Sequence, residues 1–343
     1  MDEFTSSKPW LGKPMDGLFQ PPDRQTMKEF AVFWGCTIQS RFPFIEKSTR
    51  LVLDGFGLPY RDIDGFTCCP EKSLVNNIDR GMFVLTAARN VALVDKLGCD
   101  LVSPCTGCAS NLATVRSELK YNPKEAAEVN SVLKEVGAEF KGTANLFHLV
   151  PFFHDSVGLH AIKQRIKKDF KGMRLAIHYG CHMIRPSHAL KNDDPLEPKK
   201  FDNLLRALGA ESIEFRSKML CCGQGLDRVD QHENALHLAR VKLMELKSLN
   251  ADGLLLCCPS CFLQFDNNQF LMEKEGEKLG IPVIYFTELL GLALGYSPEE
   301  LGMTSHRIDV GPFISKWESL TQKPPASDEI EAGLSQPGVL GLT

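Results

Sequence analysis

The chain has 343 residues, of which 43% are apolar and 24% charged, with a formal net charge of −4. That length supports two domains with ordinary cores, and the near-balanced charge gives no electrostatic case for nucleic-acid binding. No apolar run is long enough to span a membrane, and the N-terminus has no basic stretch leading into an apolar one, so the expected location is cytoplasmic.

Residues 1–28 carry Pro9, Pro14, Pro21 and Pro22 with little periodicity and read as an extended N-terminal arm. Glu29 to Gly35 is a short apolar run, the pattern of a buried strand, and it delivers Cys36. Apolar residues at helical spacing from Pro43 to Phe56 predict a helix. Pro59 to Phe66 reads as a second strand leading to Cys68 and Cys69. A long helix from Asn77 to Leu97 follows, with Gly98 as its C-cap. Asp100 to Pro104 is a strand ending at Cys105, and Cys108 lies one helical turn further on. Residues 111–160 read as a largely helical connector, with Glu125 to Val136 as one element. Its His148, His154 and His160 are more simply surface or capped residues than ligands.

The order then recurs. Arg174 to Gly180 is a strand delivering Cys181, Asp202 to Leu208 a helix, and Glu211 to Arg216 a strand before Cys221 and Cys222. Gln231 to Leu249 is the long helix and Ala251 to Leu256 the strand before Cys258 and Cys261. A further strand, Ile281 to Phe286, and helix, Thr287 to Leu294, close the unit. The segment from His306 to Trp317 has enough apolar content to dock either on the core or on a partner, and 318–343 reads as a flexible tail. Strands alternating with helices predict an α/β fold of two tandem βαβ-type pseudo-repeats with parallel sheets. The expected domains are 29–150, including the connector, and 151–317.

Ten of the twelve cysteines obey one pattern twice. Cys36, 31 residues, Cys68-Cys69, 35 residues, Cys105-Thr-Gly-Cys108 is followed by Cys181, 39 residues, Cys221-Cys222, 35 residues, Cys258-Pro-Ser-Cys261. Each cysteine falls at a predicted strand-to-helix loop, where parallel sheets build their sites. Adjacent cysteines and C-x-x-C pairs in a large chain point to metal or redox chemistry before a disulfide framework. Zinc needs four ligands and would leave one thiol over in each set. Ordinary cubane clusters also take four, usually close together in sequence. Five thiols twice favour an unusual multinuclear iron–sulfur centre, with zinc at one or both sites as the alternative. Cys99 and Cys257 fall outside both sets and read as small buried hydrophobes.

Both sets resemble the cysteine-rich CCG domain, and two in tandem resemble the B-subunit of heterodisulfide reductase. His178-Tyr-Gly-Cys-His182, Met219-Leu-Cys-Cys-Gly223, Cys258-Pro-Ser-Cys-Phe-Leu-Gln-Phe-Asp266 and Leu289-Leu-Gly-Leu-Ala293 are similar too. The resemblance covers about residues 29–317. It departs at Pro70, where the first doublet lacks the glycine that Gly223 supplies in the second. The resemblance implies one noncubane [4Fe-4S] cluster on Cys36, Cys68, Cys69, Cys105 and Cys108, and another on Cys181, Cys221, Cys222, Cys258 and Cys261. It implies reduction of the coenzyme M–coenzyme B mixed disulfide to two thiols between them. His182, beside Cys181, is the candidate proton donor, and a loop histidine bonded to backbone is the simpler reading.

Other readings stay open: a CCG electron-transfer protein of the sulfur-oxidising, glycolate or lactate oxidase, or succinate dehydrogenase type, and a zinc-bound structural protein. The chain has no ferredoxin motif and no complete dinucleotide fingerprint. The expected partners are therefore the iron–sulfur C-subunit and the flavin-bearing A-subunit of a heterodisulfide reductase, with hydrogenase or formate dehydrogenase modules beyond them. Apolar segments near both termini are the expected contacts.

Overall fold

Short apolar runs with no polar alternation fold as strands buried on both faces, which parallel sheets require. The structure, a computed structural model, describes residues 27–321. In it β1 (Phe30–Val32), β2 (Tyr60–Arg61), β3 (Asp100–Ser103) and β4 (Leu146–His148) form one sheet in the order β2-β1-β3-β4. The strands β5 (Arg174–His178), β6 (Glu211–Ile213), β7 (Gly253–Leu256) and β8 (Val283–Tyr285) repeat it as β6-β5-β7-β8. Every pairing is parallel. In each sheet the chain winds to one side and then the other of its first strand. The loops after the first and third strands therefore diverge and open a crevice.

Three expectations change in detail. The helix expected over 77–97 is two helices, Val75–Ile78 and Arg80–Leu97. Asp79 separates them: its carboxylate accepts from the Met82 amide at 2.9 Å and caps the second. The strands expected over 59–66 and 211–216 are shorter. Beyond β6 the amides of Arg216 and Ser217 donate to the Glu245 carboxylate at 2.7 and 2.9 Å, so they cannot join a ladder. The helical connector contains a strand: β4 pairs with β3 and closes the first sheet as β8 closes the second. Three residues between helices are too few to show a strand period.

The two halves share one core. The helix Pro43–Phe56 packs against the helix Phe286–Leu294, with the Ser48 and Thr287 hydroxyls 2.8 Å apart. Phe153 joins Phe56 to Phe286 through two edge-on ring contacts. The segment from His306 to Trp317 docks on its own core. Phe313 and Trp317 are buried, Trp317 stacks on Phe170 at 5.1 Å, and its Nε1 donates to the Asp169 carbonyl at 2.7 Å. It is thus not a free surface. The arm (1–28) and tail (318–343) lie outside the described residues apart from 27–28 and 318–321. No helix among the described residues is long and apolar enough to cross a membrane.

Candidate metal centre

Each cysteine sits where a strand hands over to a helix. Cys36 follows β1 in the helix Gly35–Arg41, and Cys181 follows β5 as the first residue of the helix Cys181–Ile184. The doublets Cys68-Cys69 and Cys221-Cys222 occupy the loops after β2 and β6. Cys105 and Cys258 are extended residues at the ends of β3 and β7, capping the helices Thr106–Tyr121 and Pro259–Phe262, whose first turns carry Cys108 and Cys261. All ten thiols line a single cavity of about 490 Å³, together with Glu71, Asn111, His182, Arg228 and Ser260. Cys99 and Cys257 do not line it. Cys257 is buried, with its sulfur 3.6 Å from Met183 Sδ.

Within a set the thiols touch. Cys36 and Cys68 Sγ are 3.9 Å apart, and Cys69 contacts both Cys68 and Cys108. Cys181 contacts Cys221, and Cys222 contacts Cys261. The sets also meet, through Cys105 and Cys258. Crowding splits their acidities. Hydrogen bonds from Cys108 and Cys68 pull Cys69 well below the usual thiol value, and those from Cys181 and Cys222 pull Cys221 down. Contact with Cys68 and burial push Cys36 up, and contact with Cys221 and burial push Cys181 up. Ten thiols this close cannot all ionise against one another, whereas bound metal cations ionise coordinating thiols outright. The donor set is therefore one that a cationic metal centre fits.

A second observation supports the fit. Gly35 and Gly180 each precede the first cysteine of a set, both at positive φ, +72° and +74°. A Cβ on Gly35 would stand 2.7 Å from Cys108 Sγ, and one on Gly180 3.5 Å from Cys261 Sγ. Both positions keep the space beside the last thiol clear, and the left-handed backbone there suits glycine.

Two reciprocal bonds hold the C-x-x-C motifs together. His148, the last residue of β4, places Nε2 3.0 Å from the Cys257 carbonyl. Tyr285, the last residue of β8, donates its hydroxyl to the Pro104 carbonyl. Pro104 and Cys257 each immediately precede a C-x-x-C, so each sheet's closing strand clamps the other half's cysteine loop. At the cavity mouth Arg228 pairs with Glu71 at 3.1 Å and donates to Ser260 at 3.4 Å, again joining the halves.

Sequence reasoning passed over these supports. His148 reads as an ordinary histidine, Tyr285 as strand filler, and His178 only as part of a motif. The signal that could find them is the repeat itself, because His148 and Tyr285 hold equivalent registers opposite Ser103 and Leu256. His182 does lie on the cavity wall, with Nδ1 3.7 Å from where a Cβ on Gly107 would stand. His154 and His160 lie elsewhere, bonded to Asp155 at 2.7 Å and Gln164 at 2.9 Å.

This geometry defines a tandem protein whose two cysteine-rich domains present their thiols to one shared cleft. The family model described as "Cysteine-rich domain" (CCG) matches twice, over residues 30–113 and 175–266. The chain is 37% identical over 292 residues to the B-subunit of a ferredoxin/F420H2-dependent CoB-CoM heterodisulfide reductase from Methanosarcina acetivorans, covering 84% of this chain and 97% of that protein. It is 35% identical to the B-subunit of a ferredoxin:CoB-CoM heterodisulfide reductase from Methanosarcina mazei, over 90% of this chain and all of that one. The chain belongs to the B-subunit family of heterodisulfide reductases. An 8-methylmenaquinol:fumarate reductase membrane anchor subunit of Wolinella succinogenes is 28% identical, over 82% of this chain and 98% of that protein. Among solved structures, a hypothetical protein from Helicobacter pylori shares the fold at a TM-score of 0.66 and 18% identity. The match covers 85% of this chain and 53% of that one.

Proposed function

We propose that the chain is the catalytic subunit of a heterodisulfide reductase complex, reducing the mixed disulfide of coenzyme M and coenzyme B. In this reading Cys36, Cys68, Cys69, Cys105 and Cys108 hold one noncubane [4Fe-4S] cluster, and Cys181, Cys221, Cys222, Cys258 and Cys261 the other. The observation that carries it is the single cavity. Two separate relay sites need no common chamber, whereas a disulfide cut by two electrons needs both sites to face one bond.

The balance is one disulfide, two electrons and two protons giving two thiols. When bound, the clusters supply the electrons singly and offer iron to sulfur. The chain's own residues do the rest. Cys105 and Cys258, in contact across the seam, bring the two sites together. The His148 and Tyr285 bonds fix that distance. Arg228, the cavity's one Lys or Arg side chain among the described residues, stands at its mouth to orient an anionic substrate. His182, on the cavity wall, is the residue proposed to hand a proton to the sulfur leaving as thiolate. Electrons would come from an iron–sulfur partner of the C-subunit type and a flavin partner of the A-subunit type, which the family relationship supports.

The similarity to a fumarate reductase anchor protein favours a second reading, in which the chain passes electrons on without cutting a disulfide. One assay separates them. The anaerobically purified chain, given a reduced viologen and the mixed disulfide, should release two thiols per disulfide consumed. A chain loaded with iron that oxidises viologen only when a quinone or a partner protein is added, and never releases thiols, would establish the relay instead.

A further inference from the structure

The two sites differ in one wall. Two residues before Gly35 stands Phe33, whose Cε1 lies 3.8 Å from the Cβ position of that glycine. Two residues before Gly180 stands His178, whose Nε2 lies 3.9 Å from the equivalent position. The rings thus occupy matching places, one offering carbon and the other nitrogen. His178 is 2% exposed, and neither ring nitrogen has a hydrogen-bond partner among the described residues. A nitrogen of His178 and the sulfurs of Cys222 and Cys261 all lie within 4.8 Å of one another. Phe265 closes the far side, edge-on at 4.9 Å. A fully buried imidazole without a partner is costly unless something in the site completes it.

A second group points the same way. The long helix of the second half, His232–Ser248, places Lys242 wholly inside the protein. Its ammonium donates to the carbonyls of Ser217 and Lys218; burial pulls its pKa down to about 7, and the nearby Cys261, Cys222 and Cys221 sulfurs oppose that pull and favour its charged form. The equivalent helix of the first half offers Arg89, which donates to the Gly65 carbonyl at 2.7 Å but is partly open to solvent. An imidazole ring always carries at least one N–H to give.

We propose that His178 donates a ring N–H to a sulfur of the Cys222–Cys261 pair in the second cluster. This bond has no counterpart at Phe33 and makes the second cluster the more readily reduced of the two. Hydrogen bonds to cluster sulfur and nearby positive charge both favour the reduced, more negative state. His178 is a positioning residue in this role, and the inference rests on the two-cluster reading above.

The test uses the full chain, purified anaerobically with nitrogen-15 histidine. Pulsed electron paramagnetic resonance of the singly reduced protein should show weak histidine nitrogen coupling, of the size a hydrogen bond gives. His178→Phe, which copies the first site, should keep its iron and sulfide, lose that coupling, and bring the higher midpoint potential down toward the lower. Lys242→Met should lower the same potential while keeping the coupling. An iron-loaded chain without nitrogen coupling would overturn this inference alone. So would coupling strong enough for direct iron ligation, or two potentials that His178→Phe leaves unmoved. A chain that binds neither iron nor sulfide would overturn the two-cluster reading and this inference with it.

Discussion

In the first repeat the wall beside the last thiol is Phe33, and a Cβ on the neighbouring glycine would lie 2.7 Å from the sulfur; in the second the wall is His178 and the gap is 3.5 Å. The thiols themselves match loop for loop, and so do the strands that deliver them. What the duplication preserves is the means of gathering five sulfurs. What it leaves free to differ is the polarity and tightness of the surroundings, which set how readily a bound group takes an electron. Two copies of one scaffold can therefore hold the same group in unequal states.

The largest effect on this comparison should come from removing one buried thiol. On the two-cluster proposal, with about four irons in each set, Cys69→Ser and Cys222→Ser should each lose about half of the bound iron. Loss of all iron from one variant would mean that the sites do not load independently. The glycines separate the repeats next. Gly35→Ala meets Cys108 Sγ at 2.7 Å and adds a left-handed backbone cost of about 1–2 kcal/mol. It should empty the first site. Gly180→Ala carries the same positive-φ cost but meets Cys261 Sγ only at ordinary contact distance, so it should lose less iron than Gly35→Ala, and the reverse order in iron analysis would break the comparison.

Smaller effects sit at the seam. Tyr285→Phe removes one reciprocal bond and should cost about 1 kcal/mol, and His148→Phe, which also removes the acceptor of the Val150 amide at 3.2 Å, should cost more, both read as a lowered urea midpoint with unchanged slope. A further effect is one of pH, and it divides the pair. Burial pushes His148 down from 6.5 to about 4, so the unfolded chain binds this proton more readily than the folded one. Its contribution is intact above pH 6.5 and is lost as the pH falls through 6.5 toward 4. His148→Phe should flatten stability over that window, and Tyr285→Phe should not.

The strands that bear cysteines were legible in the sequence because a buried parallel strand leaves an apolar run and each run ended at a thiol. The spacing named the ten thiols that line the cavity; of the two it left out, Cys257 is buried as expected, whereas Cys99 is partly exposed. What escaped was short or reciprocal. β4 is three residues long and leaves no period. Asp79 breaks a helix that its apolar neighbours continue. The partners of His148 and Tyr285 lie 109 and 181 residues away in sequence, in the opposite half, so no local pattern announces them. Lys242 stands near Arg240, Glu245 and Lys247 on one helix, and only the packed structure shows that it faces inward.

Metal analysis of the anaerobically purified chain tests the central claim most directly. Two clusters on ten thiols predict about eight irons and about eight acid-labile sulfides per chain, without zinc. About two zincs and no sulfide would leave the paired sheets as they are and contradict the assignment of both sites.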